Sequence, residues 1–204
     1  MAGAGALWAV LPVKPLAEGK SRLALPPAER IACNRHFFRH ALAILSRSVG
    51  ADRVVVVSRD PEVLGASREA GAHALPEKAG GDLNEAMTAG AILAARHGAG
   101  AVLTIAADLP GLTTDDIADL VAARTEAGTI VIAPDAAGAG TNALLMPPLA
   151  IPYRYGPNSF WAHLEVAQAG GHGFTIVRRP GLAEDIDWPA DLARAVARGM
   201  VAGG

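Results

Sequence analysis

The sequence predicts an α/β protein with a Rossmann-like three-layer architecture and a mostly parallel sheet. Three observations carry that expectation. Apolar runs of strand length recur along the chain, and helical patterns separate most of them. The runs are continuous rather than alternating, as in strands covered on both faces. The chain of 204 residues is 51% apolar, enough to build one core without disulfides, so residues 1–204 are read as a single domain.

The elements follow in order. Leu7–Val13 reads as the first strand. Pro27–Ser46 places Ile31, Phe38, Leu42 and Leu45 at helical spacing. Val54–Ser58 reads as a strand, and Glu62–Ala70 and Asn84–His97 as helices. Val102–Ala107 is the next strand, followed by a helix over Thr114–Ala127. Thr113 suits its N-cap, with Asp116 three residues on completing a capping box. Gly98 and Gly128 stand where a left-handed helix cap favours glycine. Thr129–Ala133, Ala143–Met146 and Phe174–Val177 read as strands. Ser159–Ala169 and Pro189–Arg198 read as helices, with Pro189 at a first helical position. The Gly- and Ala-rich ends, Met1–Ala6 and Val201–Gly204, are expected to fray.

Composition excludes several classes. A net charge of -2 argues against an electrostatic nucleic-acid binder. No apolar stretch is long enough to span a membrane, and Met1–Ala6 lacks the basic start of a signal peptide. The single Cys33 has no internal disulfide partner and lies in a helical pattern, where packing is the expected role. These features predict a cytoplasmic protein.

In open α/β sheets, ligands bind beyond the carboxyl ends of the strands. The first such loop carries Lys14, Lys20 and Arg22 within nine residues. A triphosphate needs that charge as pyrophosphate departs, although a solvated basic loop is the plainer reading. Gly19-Lys20-Ser21 imitates a P-loop ending, but Lys14 stands where its first glycine belongs, and Pro26-Pro27 interrupt the chain soon after. Gly138-Ala139-Gly140 imitates a dinucleotide fingerprint, yet it leads into apolar Leu144-Leu145-Met146 and not into a helix.

The carboxylates supply the second signal. Asp108 follows an apolar strand and should point into the crevice, where a carboxylate can bind Mg²⁺. In Asp185-Ile186-Asp187 the two acids face one side of an extended segment and Ile186 the other. Acids so paired repel unless a cation lies between them. The plainer readings are a turn cap at Asp108 and a helix start at Asp187. Taken with the basic loop, metal-bound triphosphate chemistry explains all three better. Ser159, with the free amides of its helix start, and Thr141 are candidates for holding an anion. His36 and His40 lie four apart on a predicted helix but lack the zincin glutamate, so they are read as helix-surface or packing histidines. His163 has no partner visible in the sequence, and Trp8, Trp161 and Trp188 are too scattered for a stacking surface.

Several strings then combine: Pro12-Val13-Lys14-Pro15, Lys20-Ser21-Arg22-Leu23, Leu83-Asn84, Ala107-Asp108-Leu109-Pro110, Gly140-Thr141-Asn142-Ala143, Gly156-Pro157-Asn158-Ser159-Phe160 and Asp185-Ile186-Asp187. Together they resemble the 2-phospho-L-lactate guanylyltransferase family, whose activity serves coenzyme F420 biosynthesis. The resemblance implies a nucleotidyltransferase fold of the nucleotide-diphospho-sugar transferase type. It implies GTP along Leu11, Pro12, Val13, Lys14, Lys20 and Arg22, with Leu83 and Asn84 near base and ribose. It implies Mg²⁺ on Asp108, Asp185 and Asp187, and the acid substrate's phosphate on Thr141, Gly156 and Ser159. Catalysis would fall to Asp108, Lys14 and Lys20. Trp188 stands where the family's motif has a small or hydroxyl residue.

Members of that family use 2-phospho-L-lactate, phosphoenolpyruvate or 3-phospho-D-glycerate, and the sequence does not choose among them. The expected partners are GTP and a small phosphorylated acid, with room for a homodimer and for product hand-off to a following enzyme. No nucleic acid or membrane is expected. The rivals are a molybdopterin- or sugar-phosphate nucleotidyltransferase and a non-catalytic nucleotide-binding module. Pyrophosphate release with defined acceptors separates all three.

Overall fold

The computed structural model describes residues 5–78, 80–126 and 128–201. Among these, seven strands form one sheet: β1 (Ala6–Pro12), β2 (Val54–Ser58), β3 (His73–Pro76), β4 (Ala99–Ile105), β5 (Ile130–Pro134), β6 (Thr141–Met146) and β7 (Phe174–Ile176). The helices are α1 (Pro27–Val49), α2 (Pro61–Glu69), α3 (Leu83–Arg96), α4 (Thr114–Ala122), α5 (Ser159–Ala169), α6 (Pro180–Ala183) and α7 (Pro189–Ala197). The spatial order of the strands is β3-β2-β1-β4-β6-β5-β7.

Period-2 alternation splits the strand side chains between two cores. Ala9, Leu11, Val54 and Val56 pack against α1, α2 and α4 through Phe38, Leu42, Leu45, Val63, Ile117 and Leu120. Trp8, Val10, Val55 and Val57 face α3 and α5 through Met87, Ala91, Phe160 and Leu164. Gly90 lets α3 lie close to the sheet. A Cβ there would come within 2.5 Å of Val10 Cγ1 and 3.2 Å of Val57 Cγ2.

The sheet is mixed. β1 pairs in parallel with β2 and β4, β2 with β3, and β5 with β7. β6 runs antiparallel to both β4 and β5. The hairpin that reverses the chain is closed by Asp135, whose carboxylate accepts from the Ala139 and Gly140 amides at 2.9 and 2.8 Å. Gly138 sits there at φ +71°. The glycine-rich string is therefore turn chemistry and not a dinucleotide fingerprint.

Several expectations need correcting. β3 is short and had no apolar run to announce it, and α6 and the 3-10 turns Ser21–Leu23 and Ala51–Arg53 were also unforeseen. β4 ends at Ile105, so Asp108 lies in the loop three residues beyond it. α4 ends at Ala122, well before Gly128, which does not adopt a left-handed cap conformation. Ala127, the expected end of that helix, lies outside the described residues, as do residues 1–4 and 202–204 of the expected frayed ends. Ala6 already belongs to β1. The Thr113–Asp116 capping box, the left-handed Gly98 and Pro189 at the start of α7 match expectation. No helix among the described residues is long and apolar enough to cross a membrane.

Candidate active site

A crevice of about 860 Å³ runs across the carboxyl ends of β1, β2 and β4. Its walls include Pro12, Val13, Lys14, Lys20 and Arg22 from the first loop, Leu83 from α3, and Asp108, Thr141 and Asp187. Leu11, expected among the nucleotide contacts, is fully buried in the core, so the wall begins at Pro12.

Three separate segments converge at one end. The Ile186 amide donates to the Asp108 carbonyl at 3.2 Å, and the Ala106 amide to the Asn142 carbonyl at 2.8 Å. These bonds stitch residues 185–187 and the start of β6 onto the loop after β4. Ile186 is buried with Leu23, Cys33, Phe37 and Ala195, as the spacing of the two flanking acids predicts. In consequence Asp108, Asp185 and Asp187 each present a carboxylate oxygen within 4.8 Å of the others.

Lys20 answers that charge. Its Nζ donates to Asp108 and, at 2.8 Å, to Asp187 Oδ1. Burial opposes its charge, but Asp108 and Asp187 outweigh that and hold its pKa above the ordinary lysine value. Its backbone is left-handed at φ 57°, which turns the chain into the Ser21–Leu23 segment. Asp185 moves the other way. Burial first, then the charges of Asp108 and Asp187, raise its pKa to about 6, against a 3.3 Å hydrogen bond from Asn142 Nδ2. One lysine therefore leaves the cluster short of positive charge. Three closely set carboxylates are hard oxygen donors of the kind Mg²⁺ takes, so the residues fit that ion.

The remaining predicted residues divide. Lys14 is exposed on the crevice wall, and Arg22 stacks over the Trp188 ring at 5.3 Å. Leu83 lines the crevice, half-exposed. Asn84 instead clamps the segment before α5: its Nδ2 donates to the Tyr155 carbonyl at 3.1 Å and its Oδ1 accepts from the Tyr155 amide at 2.6 Å. Ser159 does not cap α5; its Oγ accepts from the Thr141 amide at 2.9 Å. The Ser159 and Phe160 amides bond to the Gly156 and Ala139 carbonyls, so these two are not the free donors the sequence suggested. Gly156 forms the preceding turn at φ +144°. Asp187 is not the cap of α7 either: Asp191 accepts from the Asp187 and Trp188 amides at 3.0 and 2.7 Å.

Several contributors had no sequence signal. His163 is fully buried, accepts from the Arg154 amide at 2.9 Å and lies 3.0 Å from Thr141 Oγ1. Burial lowers its pKa to about 4. With Nε2 accepting, Nδ1 carries the proton and faces Thr141. Tyr155 Oη pairs with Thr104 Oγ1 at 2.8 Å. Asn142 also donates to the Leu182 carbonyl at 3.0 Å, tying β6 to α6. Cys33 is buried, and His40 bonds the Leu112 carbonyl at 2.9 Å, both as the packing readings expect.

Residues 7–201 match the family described as guanylyl transferase CofC like. The chain belongs to that family. Among curated relatives, it is 43% identical over 198 residues to the phosphoenolpyruvate guanylyltransferase of Rubrobacter xylanophilus, covering 96% of each chain. It is 44% identical over 187 residues to the protein of the same name from Sphaerobacter thermophilus, covering 90% and 89%. It is 31% identical over 193 residues to the 2-phospho-L-lactate guanylyltransferase of Methanothermobacter thermautotrophicus, covering 94% and 84%. Among solved structures, a protein assigned as a nucleotide-diphospho-sugar transferase from Desulfovibrio desulfuricans superposes with a TM-score of 0.76 at 16% identity, covering 97% and 89%. A nucleotidyl transferase from Methanothermobacter thermautotrophicus gives 0.64 at 18%, covering 95% and 97%. The guanylyl transferase CofC-like family thus has here the nucleotide-diphospho-sugar transferase fold, as the sequence predicts.

Proposed function

We propose that the protein transfers the guanylyl group of GTP to the phosphate of a three-carbon phospho-acid and releases pyrophosphate, within coenzyme F420 biosynthesis. Phosphoenolpyruvate is the favoured acceptor, because the relatives at 43% and 44% identity carry that name. The observation that carries the reading is the meeting of Asp108, Asp185 and Asp187 beside Lys20 at one end of a crevice of about 860 Å³, large enough for a nucleotide.

In this reading a phosphate oxygen of the acid attacks the α-phosphorus of GTP. The bond from that phosphorus to the α–β bridging oxygen breaks, and pyrophosphate leaves with the electron pair. The nucleophile is already anionic, so no strong general base is needed. Asp108, Asp185 and Asp187 would hold Mg²⁺, which supplies charge neutralisation at the phosphates when bound. Lys14 and Lys20 donate to triphosphate oxygens and stabilise charge as it develops on the departing group. Thr141 orients the acid's phosphate at the crevice wall, with the Ser159 hydroxyl fixing its backbone amide. A cytoplasmic setting belongs to the same proposal, in keeping with the lone reduced Cys33.

The test is a panel: GTP and Mg²⁺ with phosphoenolpyruvate, 2-phospho-L-lactate or 3-phospho-D-glycerate, read as pyrophosphate. Turnover with at least one acid is expected, fastest with phosphoenolpyruvate. No pyrophosphate with any of the three, despite tight GTP binding, would refute the proposal.

A further inference from the structure

The crevice extends well past the acids. The strand order β3-β2-β1-β4 puts the carboxyl end of β3 about 14 Å from that of β4. That distance suits a nucleotide lying across the sheet, its α-phosphate at Asp108 and its base at the far end. There the walls are Val57, Ala86, Met87 and Leu83, apolar surfaces suited to a planar ring, together with Arg59 and Glu77. Arg59 follows β2 and Glu77 follows β3, and the Glu77 amide donates to the Ser58 carbonyl at 2.8 Å. The two side chains thus leave adjacent strand ends on a rigid base.

Three carboxylates line this end of the crevice: Glu18, Glu77 and Asp82. Asp82 is already engaged, since its Oδ1 caps α3 by accepting from the Glu85 amide at 2.9 Å. The Glu18 side chain is 53% exposed, while that of Glu77 is only 14% exposed. Arg59 bridges them, bonding Glu18 with one nitrogen and Glu77 Oε2 with another at 3.3 Å. Glu77 is therefore a sheltered, oriented carboxylate with Oε1 and further lone pairs available. A carboxylate is the acceptor that matches two neighbouring N–H donors. Among purines, guanine offers that pair, N1–H beside the N2 amine. Adenine offers a lone pair at N1 and would face the carboxylate with repulsion.

Resting on the guanylyl-transfer reading, we propose that Glu77 is the guanine-specificity residue. Its carboxylate accepts from N1–H and the N2 amine, and Arg59 positions it. Loss of charge-assisted bonds of this kind weakens binding roughly ten- to hundredfold.

The experiment compares the parent with Glu77→Gln on GTP, on inosine triphosphate, which lacks the N2 amine, and on ATP, with the acceptor chosen by the panel above. The parent should favour GTP over both analogues. In Glu77→Gln, KM for GTP should rise roughly ten- to hundredfold with kcat little changed, and the preference for GTP over inosine triphosphate should collapse. That preference is a ratio within one protein sample, so partial misfolding cancels. Equilibrium binding of the two nucleotides gives the same ratio where turnover is too slow. Retention of the parent's ratio in Glu77→Gln would overturn the assignment and leave the guanylyl reading intact. A parent that does not distinguish GTP from ATP would overturn both.

Discussion

His163 gives the stability of this protein a pH dependence that can be worked out from its surroundings. The ring is fully buried, and its Nε2 accepts from the Arg154 amide. Adding a proton there replaces that bond with two donors facing each other, at a ring that is fully buried. Burial accordingly lowers the pKa from 6.5 to about 4. The sign follows from linkage: the folded protein holds the proton less tightly than the unfolded chain. The stabilisation is fully present above about pH 6.5 and is lost as the pH falls through 6.5 towards 4. Over the whole interval it amounts to about 3 kcal/mol, of which about 2 kcal/mol is gone by pH 5. For a chain of this size that is a fall in Tm of about 4–8 °C. Asp185 contributes with the opposite sign. Its raised pKa makes metal-free stability fall as the pH rises from 3.8 to about 6. Comparison with His163→Gln cancels that term. Scanning calorimetry of parent and variant in chelator at pH 7.5 and pH 5 should show a smaller Tm drop in the variant, by about 4–8 °C. Equal drops would refute the argument, because the titrating group would then lie elsewhere.

Four further outcomes are expected. Asp108→Asn should lose roughly a hundredfold or more of kcat with its melting transition preserved, since it removes charge at the reacting centre and not packing. Ser159→Ala frees the Thr141 amide and should raise KM for the acid more than KM for GTP. In thermal melts, Mg²⁺ at about ten times its dissociation constant should stabilise the parent by about 1.4 kcal/mol and leave Asp185→Asn unmoved. Gly90→Ala forces a methyl into Val10 and Val57 and should cost about 1–3 kcal/mol by urea denaturation.

What the sequence could show depended on how far apart in the chain the interacting groups lie. Long buried strands and amphipathic helices declare themselves within a dozen residues, so β1, β2, β4 and α1 were legible. The alternation Asp185-Ile186-Asp187 was equally local, and Ile186 packs as its position requires. β3 was missed because four residues, His-Ala-Leu-Pro, carry too little apolar pattern. Asn84 was placed beside the nucleotide although its amide is consumed by Tyr155, a partner 71 residues away. His163 and Glu77 had no local signature, since one is defined by Thr141 and Arg154 and the other by Arg59. Such roles depend on tertiary contact, and neither spacing nor composition encodes it.

The reversed direction of β6 has a consequence for how acceptor choice can change. Because that strand starts where β4 finishes, its opening residues Thr141 and Asn142 stand beside Asp108, whereas a parallel strand would have carried them to the opposite rim. In the proposed reading, donor and acceptor therefore rest on opposite flanks of β4, meeting only at the acids. The segment from Pro147 to Asn158 touches the acceptor flank through Tyr155 and Arg154. Swapping that segment between relatives offers a route to exchanging one acid for another, with the clamp of Asn84 on Tyr155 kept so that α3 on the donor flank holds its place.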